Sequence, residues 1–286
     1  MNNLHIVTVA TDSEFYLKYL VESCSRNGRQ IKILGYGEKW KGFAWKFNLM
    51  IKYLKSINED DIVCFVDGYD VICNRNLDEL KLQFIEYKNK YNFKIIVGID
   101  IYKFKPQELI AGVYFNNCKS NLLNSGTYIG YAKDLYDILF NAYNLDPSDK
   151  NDDQILLTKY CKMHPNDIFF DKNQDFFLTI HKSFFEISNE LDIHDNEAYY
   201  KSKKPFFIHG PSCTYLNSLL IDLNYDISED GEFIKNTMKK KFVYKSIHYF
   251  KELVIRYLLI IIFISLAVIK FNMSNNNLIN AKLENI

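Results

Sequence analysis

Residues 62–71, IVCFVDGYDV, break an apolar run with two acids, and no other stretch constrains the chain as much. From Ile62 to Val66 every residue is β-branched, aromatic or thiol-bearing, which suits a strand buried on both faces in a parallel sheet. Asp67 and Asp70 follow at its carboxyl end, where open α/β sheets bind ligands. Two acids there can converge on one cation, so this turn is the expected place for a divalent metal that holds a nucleotide diphosphate. The competing reading has Asp67 capping the turn through its own backbone and Asp70 solvated.

Short apolar runs alternate with segments of helical period over residues 4–171, the pattern of an α/β domain. Strands are expected at 6–10, 30–34, 93–98, 122–132, 168–171, 176–179 and 204–209. Helices are expected at 14–26, capped by Ser13, and at 43–57, 77–91, 133–143 and 149–160. Residues 100–119, with Pro106 and Gly112, read as an irregular mobile loop. The glycine-rich segment GYGEKWKG, 35–42, can bring its backbone close to a ligand but has the spacing of neither a dinucleotide fingerprint nor a P-loop. In the helix at 149–160, Asp152 and Asp153 also suit plain capping acids. His209 ends an apolar strand, where a histidine is more often a packed residue than a ligand.

Lys and Arg balance Asp and Glu at 35 each, which argues against a general nucleic-acid binder. No basic, apolar leader precedes the first strand, so no signal peptide is expected. The six cysteines form no C-x-x-C pair, and buried reduced thiols explain them better than disulfides or zinc.

Residues 253–269, LVIRYLLIIIFISLAVI, are close in length to a membrane helix, with lysines concentrated just before them. The expected organisation is a catalytic domain at 1–235, a basic juxtamembrane segment at 236–252, a transmembrane helix at 253–269 and a polar tail at 270–286. The chain would then be held to the membrane by this C-terminal helix, with its catalytic domain in the cytosol.

HIVTVATDS, LGYGEKWKG, CFVDGYDV, LNSGTYIGYA, NDDQILLTKY and FFIHG occur in one order over residues 4–211. Together they resemble the glycosyltransferase domain of the procollagen lysyl hydroxylases and their glycosyltransferase relatives. The resemblance implies a Rossmann-like fold of GT-A type that binds a UDP-sugar through Mn2+. On it, Asp67, Asp70 and His209 match the metal ligands, and an imidazole nitrogen beside two carboxylates favours Mn2+ over Mg2+. Trp40 and Tyr69 match positions that hold the uridine, and Lys46 matches a lysine near the nucleotide. Asn124, Ser125 and Gly126 match the block lining the sugar pocket, and Gly210 follows the histidine. Asp152 and Asp153 match an acidic cluster beside the transferred sugar, as the general base or as a hold on the sugar hydroxyls.

The chain departs from that pattern at Gly68, where relatives carry Ser, and at Asn151, where relatives often carry Asp. Pro211 and Ser212 stand in place of Asn-Gly. Its length leaves no room for an iron and 2-oxoglutarate domain, so lysine hydroxylation is not expected. The implied activity is transfer of glucose or galactose to a hydroxyl acceptor such as hydroxylysine or galactosyl-hydroxylysine of a collagen-like protein. The alternative is a catalytically silent module serving as membrane-bound partner or chaperone.

Overall fold

The computed structural model describes residues 2–241 together with 243, 244, 247 and 258. Met1–Met238 form one compact unit and Lys239–Ile286 a second, and every element named here lies in the first. The first half of the chain holds β1 (Leu4–Val9), α1 (Leu17–Arg26), β2 (Ile31–Leu34), α2 (Trp45–Leu54), β3 (Ile62–Val66), β4 (Val71–Cys73), α3 (Leu77–Lys90), β5 (Ile95–Tyr102) and α4 (Lys105–Phe115). Then come β6 (Leu123–Tyr131), α5 (Ala132–Asn144), α6 (Asp153–Met163), β7 (Ile168–Phe170), β8 (Phe177–His181), β9 (Asp192–His194), β10 (Glu197–Tyr199), β11 (Phe207–His209) and α7 (Asn217–Asp222).

The main sheet runs β2-β1-β3-β6-β5-β8-β11-β4, with β7 also on β5. Strands β2, β1 and β3 are parallel, β6 is antiparallel to both β3 and β5, and β8 runs parallel to β5 and β11. All five β3 residues are buried because side chains alternate across a sheet covered on both faces. Val63 and Phe65 enter a core with α2, α5 and α6, while Ile62, Cys64 and Val66 enter another with α1 and α3. This mixed α/β architecture puts the carboxyl ends of β3 and β11 side by side, since the antiparallel strand β4 pairs His209 with Val71 directly after the acid turn.

Several expectations need correction. Residues 100–119 are not an irregular loop: β5 runs on to Tyr102 and α4 follows. Pro106 lies in the first turn of α4, where its missing N–H costs nothing, so it starts the helix rather than breaking it. Ser13 does not cap α1, whose N-cap position is Tyr16 without a side-chain bond. Cys118 and Cys161 form a disulfide that ties the segment before β6 to α6, while the other four cysteines are buried thiols. The two partners are 43 residues apart, and only the packing of α4 and β6 against α6 brings their Cα atoms to 6.2 Å.

No helix among the described residues is long and apolar enough to cross a membrane. That finding overturns the expected membrane-associated localisation by a C-terminal anchor, and the cytosolic orientation drawn from it goes too. The run at 253–269 itself lies outside the described residues, Leu258 apart.

Candidate metal centre

Asp67 leaves the end of β3 with its N–H donating to the carbonyl of Gly126 on β6 at 2.8 Å. Three residues later the Asp70 carbonyl accepts from Gly210 N–H, also at 2.8 Å, which fastens the acid turn to the chain just past β11. These two backbone bonds bring Asp67, Asp70 and His209 into one group, each offering a ligand atom within 4.8 Å of the others. It is the one such group among the described residues.

The His209 imidazole is fully buried. Its Nε2 approaches Asp70 Oδ1 to 3.2 Å as an ion-pair contact, yet makes no aligned hydrogen bond. Its Nδ1 faces Thr179 Oγ1 at 3.5 Å. Burial alone would depress the histidine's pKa, but the charges of Asp70, Asp67 and Asp100 outweigh it and raise it. A buried ring nitrogen aimed at two carboxylates, with its other nitrogen beside a hydroxyl, is a donor set that fits a hard divalent cation. Gly126 leaves the space for it. A Cβ there would stand 2.4 Å from Asp67 Oδ2 and 2.8 Å from His209 Cε1.

Lys46, buried on α2, reaches the same place. Its Nζ lies 2.8 Å from Asp67 Oδ1 and 2.8 Å from Asp153 Oδ2. Burial would lower its pKa, yet the Asp153 and Asp67 carboxylates raise it, so the ammonium stays charged. Asp153 opens α6, and burial raises its pKa while Lys46 opposes that and Asp67 adds to it; the Ser125 hydroxyl hydrogen-bonds to it. Asp152 is the N-cap of α6, accepting from Ile155 N–H at 3.1 Å. Burial and the Asp153 charge push its pKa up to about 6.

The glycine-rich segment is stapled to the loop ahead of these acids. Ala44 N–H donates to Asn151 O at 2.9 Å, and Gly42 passes so close to Asp149 that a Cβ would meet its carbonyl at 2.2 Å. Gly42 also has φ +136°, a conformation for which glycine is the natural residue. Trp40 is 38% exposed, with its ring edge-on to Phe43 and Trp45. The Tyr69 hydroxyl accepts from Thr11 N–H at 2.9 Å, and its ring meets Phe15 edge-on. Thus Lys46, Asp67, Asp70, Ser125, Gly126, Asp153 and His209 form one connected cluster. Gly210 adjoins it through its backbone, while Trp40 and Tyr69 pack on neighbouring aromatic residues.

Asn124 opens onto residues that sequence reasoning missed. Its side chain donates to Asp100 Oδ1 at 2.8 Å, and its own oxygen accepts from Gly126 N–H at 3.0 Å. Asp100 Oδ2 accepts from Gln154 at 2.9 Å, and Oδ1 also meets His181 Nε2 at 2.9 Å. A signal existed: His181 ends the apolar run FLTIH as His209 ends FIH, and Asp100 follows the apolar residues 95–99 as Asp67 follows β3. Reading 100–119 as a loop hid it.

A family model described as the PLOD GT domain matches residues 1–229. The chain is 28% identical over 240 residues to the multifunctional procollagen lysine hydroxylase and glycosyltransferase of Caenorhabditis elegans, covering 76% of this chain and 32% of that protein. It is 29% identical over 241 residues to the procollagen-lysine,2-oxoglutarate 5-dioxygenase of Drosophila melanogaster, with 78% and 32% covered. The chain therefore spans about a third of the length of these curated relatives. A solved glycosyltransferase involved in the glycosylation of the major capsid of PBCV-1 aligns at TM-score 0.43 and 13% identity, over 72% of this chain and 94% of that one.

Proposed function

The chain belongs to the PLOD GT-domain family, and from that premise we propose a Mn2+-dependent glycosyltransferase of GT-A type that moves glucose or galactose from its UDP-sugar to a hydroxyl acceptor. Hydroxylysine or galactosyl-hydroxylysine in a collagen-like protein is the acceptor class that the family resemblance implies, and the name of the Caenorhabditis elegans relative pairs procollagen lysine with glycosyl transfer. The observation that carries the reading is the convergence of Asp67, Asp70 and His209, with Nε2 of the buried imidazole 3.2 Å from Asp70 Oδ1.

A divalent ion held by those three side chains would supply positive charge opposite the UDP leaving group. The protein's own residues supply the rest. Lys46 holds the half-buried Asp67 and the buried Asp153 in place and keeps their carboxylates from repelling one another, so its part is to set the site rather than to grip phosphate. Trp40 and Tyr69 offer aromatic surface to a uracil, and Asn124, Ser125 and Gly126 form the wall against which the sugar would lie. Asp152 and Asp153 are each already engaged, one as helix cap and one by Lys46, which supports them as holders of sugar hydroxyls.

The test is UDP release from UDP-glucose and UDP-galactose, with and without Mn2+, because donor hydrolysis needs no knowledge of the acceptor. Turnover that requires the metal supports the proposal. A chain that binds neither Mn2+ nor UDP and releases none would be a silent module.

A further inference from the structure

Beside the metal centre runs a second line of polar groups, and it ends at a residue where this chain departs from the pattern it resembles. Ser212 Oγ lies 3.0 Å from His181 Nδ1, and His181 Nε2 lies 2.9 Å from Asp100 Oδ1. Asp100 already accepts from Asn124 and Gln154, so its carboxylate acts as an acceptor throughout. That assigns the His181 proton to Nε2 and leaves Nδ1 bare to take the Ser212 hydroxyl proton. The imidazole is locked by Tyr102, whose ring stacks on it at 4.1 Å and 18°.

Ser212 itself is half-buried, three residues beyond His209, with φ +56°. Its carbonyl accepts from Ser183 Oγ at 2.7 Å, which fixes the backbone. With its proton turned toward His181, the Ser212 oxygen has only lone pairs left to offer a further group. A substrate hydroxyl is the group that such an oxygen receives. The inner end of the line meets the cluster, because Asn124 accepts from Gly126 N–H and Gln154 follows Asp153 in sequence, and both donate to Asp100.

We propose that Ser212, His181 and Asp100 are the relay that takes the proton from the acceptor hydroxyl, a reading that rests on the glycosyltransferase function above. The acceptor O–H donates to Ser212 Oγ. As the acceptor oxygen forms its bond to the sugar C1, the C1–O bond to the diphosphate breaks and UDP leaves with that electron pair. The acceptor's proton passes to Ser212 Oγ while the serine's own proton moves to His181 Nδ1. Asp100 holds the imidazolium through Nε2–H until it returns the proton to water. Ser212 is the group that touches substrate, and His181 and Asp100 act through it, with the division of labour found in serine–histidine–aspartate systems. Positioned proton transfer of this kind contributes about 10² to 10⁴-fold in rate.

The experiment uses the full chain with Mn2+, UDP-glucose or UDP-galactose, and a galactosyl-hydroxylysine or hydroxylysine peptide. Ser212→Gly suits the positive φ and removes only the hydroxymethyl group. Its kcat for transfer is expected to fall about 100-fold, with KM for the donor and UDP affinity by calorimetry unchanged. Ring 15N NMR of the wild type is expected to show the His181 ring proton on Nε2, with Nδ1 accepting from Ser212. A Ser212→Gly enzyme within threefold of wild-type kcat, a loss confined to KM, or a His181 proton on Nδ1 each overturns the relay. A wild type that neither binds nor releases UDP overturns the glycosyltransferase reading and the relay together, so the two failures are distinct.

Discussion

Lys46 Nζ stands 2.8 Å from Asp153 Oδ2, and both side chains are buried. The same ammonium meets Asp67, so one cation joins the carboxyl end of β3 to the first residue of α6. Three charges carried by separate elements thus set the distance between the candidate metal ligands and the acid pair. Truncating one member of such a group leaves the others uncompensated in a low-dielectric setting.

Lys46→Met is therefore expected to destabilise the fold by about 3–5 kcal/mol, the usual cost of breaking a buried ion pair. The double variant Lys46→Met/Asp153→Asn removes one of the stranded charges and recovers part of the loss. Urea unfolding of the wild type, both single variants and the double closes the cycle. Strict additivity would show that the pair is not coupled.

Asp152 gives a pH dependence of definite sign. Its pKa rises in the fold from its ordinary 3.8 to about 6, through burial first and then the Asp153 charge, so the folded state keeps a proton that the unfolded chain has released. Stability from this group consequently falls as pH climbs from about 4 to about 6. Asp152→Asn keeps an equivalent N-cap acceptor without a titrating group. Relative to wild type it should gain stability across that window, on the order of 1–2 kcal/mol. Equal midpoints at pH 4 and pH 7 would contradict the assignment.

Gly126→Ala tests the close approach. The added methyl would meet Asp67 Oδ2 at 2.4 Å and His209 Cε1 at 2.8 Å, so the acid, the ring or the strand has to shift. Overpacking of this size costs roughly 1–3 kcal/mol. Displacing two candidate ligands should also weaken Mn2+-dependent UDP binding by at least about tenfold, or 1.4 kcal/mol, in calorimetry. Asp70→Ala and His209→Ala should lose that binding outright, and chelation should reproduce their phenotype on the wild type.

How far the sequence anticipated this arrangement differs from place to place. The alternation of apolar runs with helical periods revealed the layers and the buried strand at 62–66, because burial on both faces writes itself as an unbroken apolar string. It also located the two acids and the histidine on separate strand ends. Their proximity depends on β4, a three-residue strand too short to leave a periodic signal, which turns the chain back beside β11. The line from Asp100 to Ser212 was hidden for another reason. Strand β5 shifts register between Val97 and Gly98 and continues alongside β8, so its second half lacks a continuous apolar pattern. The disulfide was equally silent, because distant cysteines carry no pairing information until the fold is known.

That disulfide yields the last expectation. Cys118 lies just ahead of β6, which carries Asn124, Ser125 and Gly126, and Cys161 lies near the end of α6, which begins at Asp153. The bond closes a loop spanning 43 positions, and the chain-entropy estimate for a loop of that size is about 4 kcal/mol. Under oxidising conditions Cys118→Ser/Cys161→Ser should lower the unfolding free energy toward that amount. Treatment of the wild type with a reductant should bring it to the level of the double variant. The four remaining cysteines are buried thiols, so alkylation of the denatured, unreduced wild type should label four sites and leave two unlabelled until reduction. Six labelled sites before reduction, with no stability difference between the double variant and wild type, would show that the link does not form, and β6 and α6 would then be held together by packing alone.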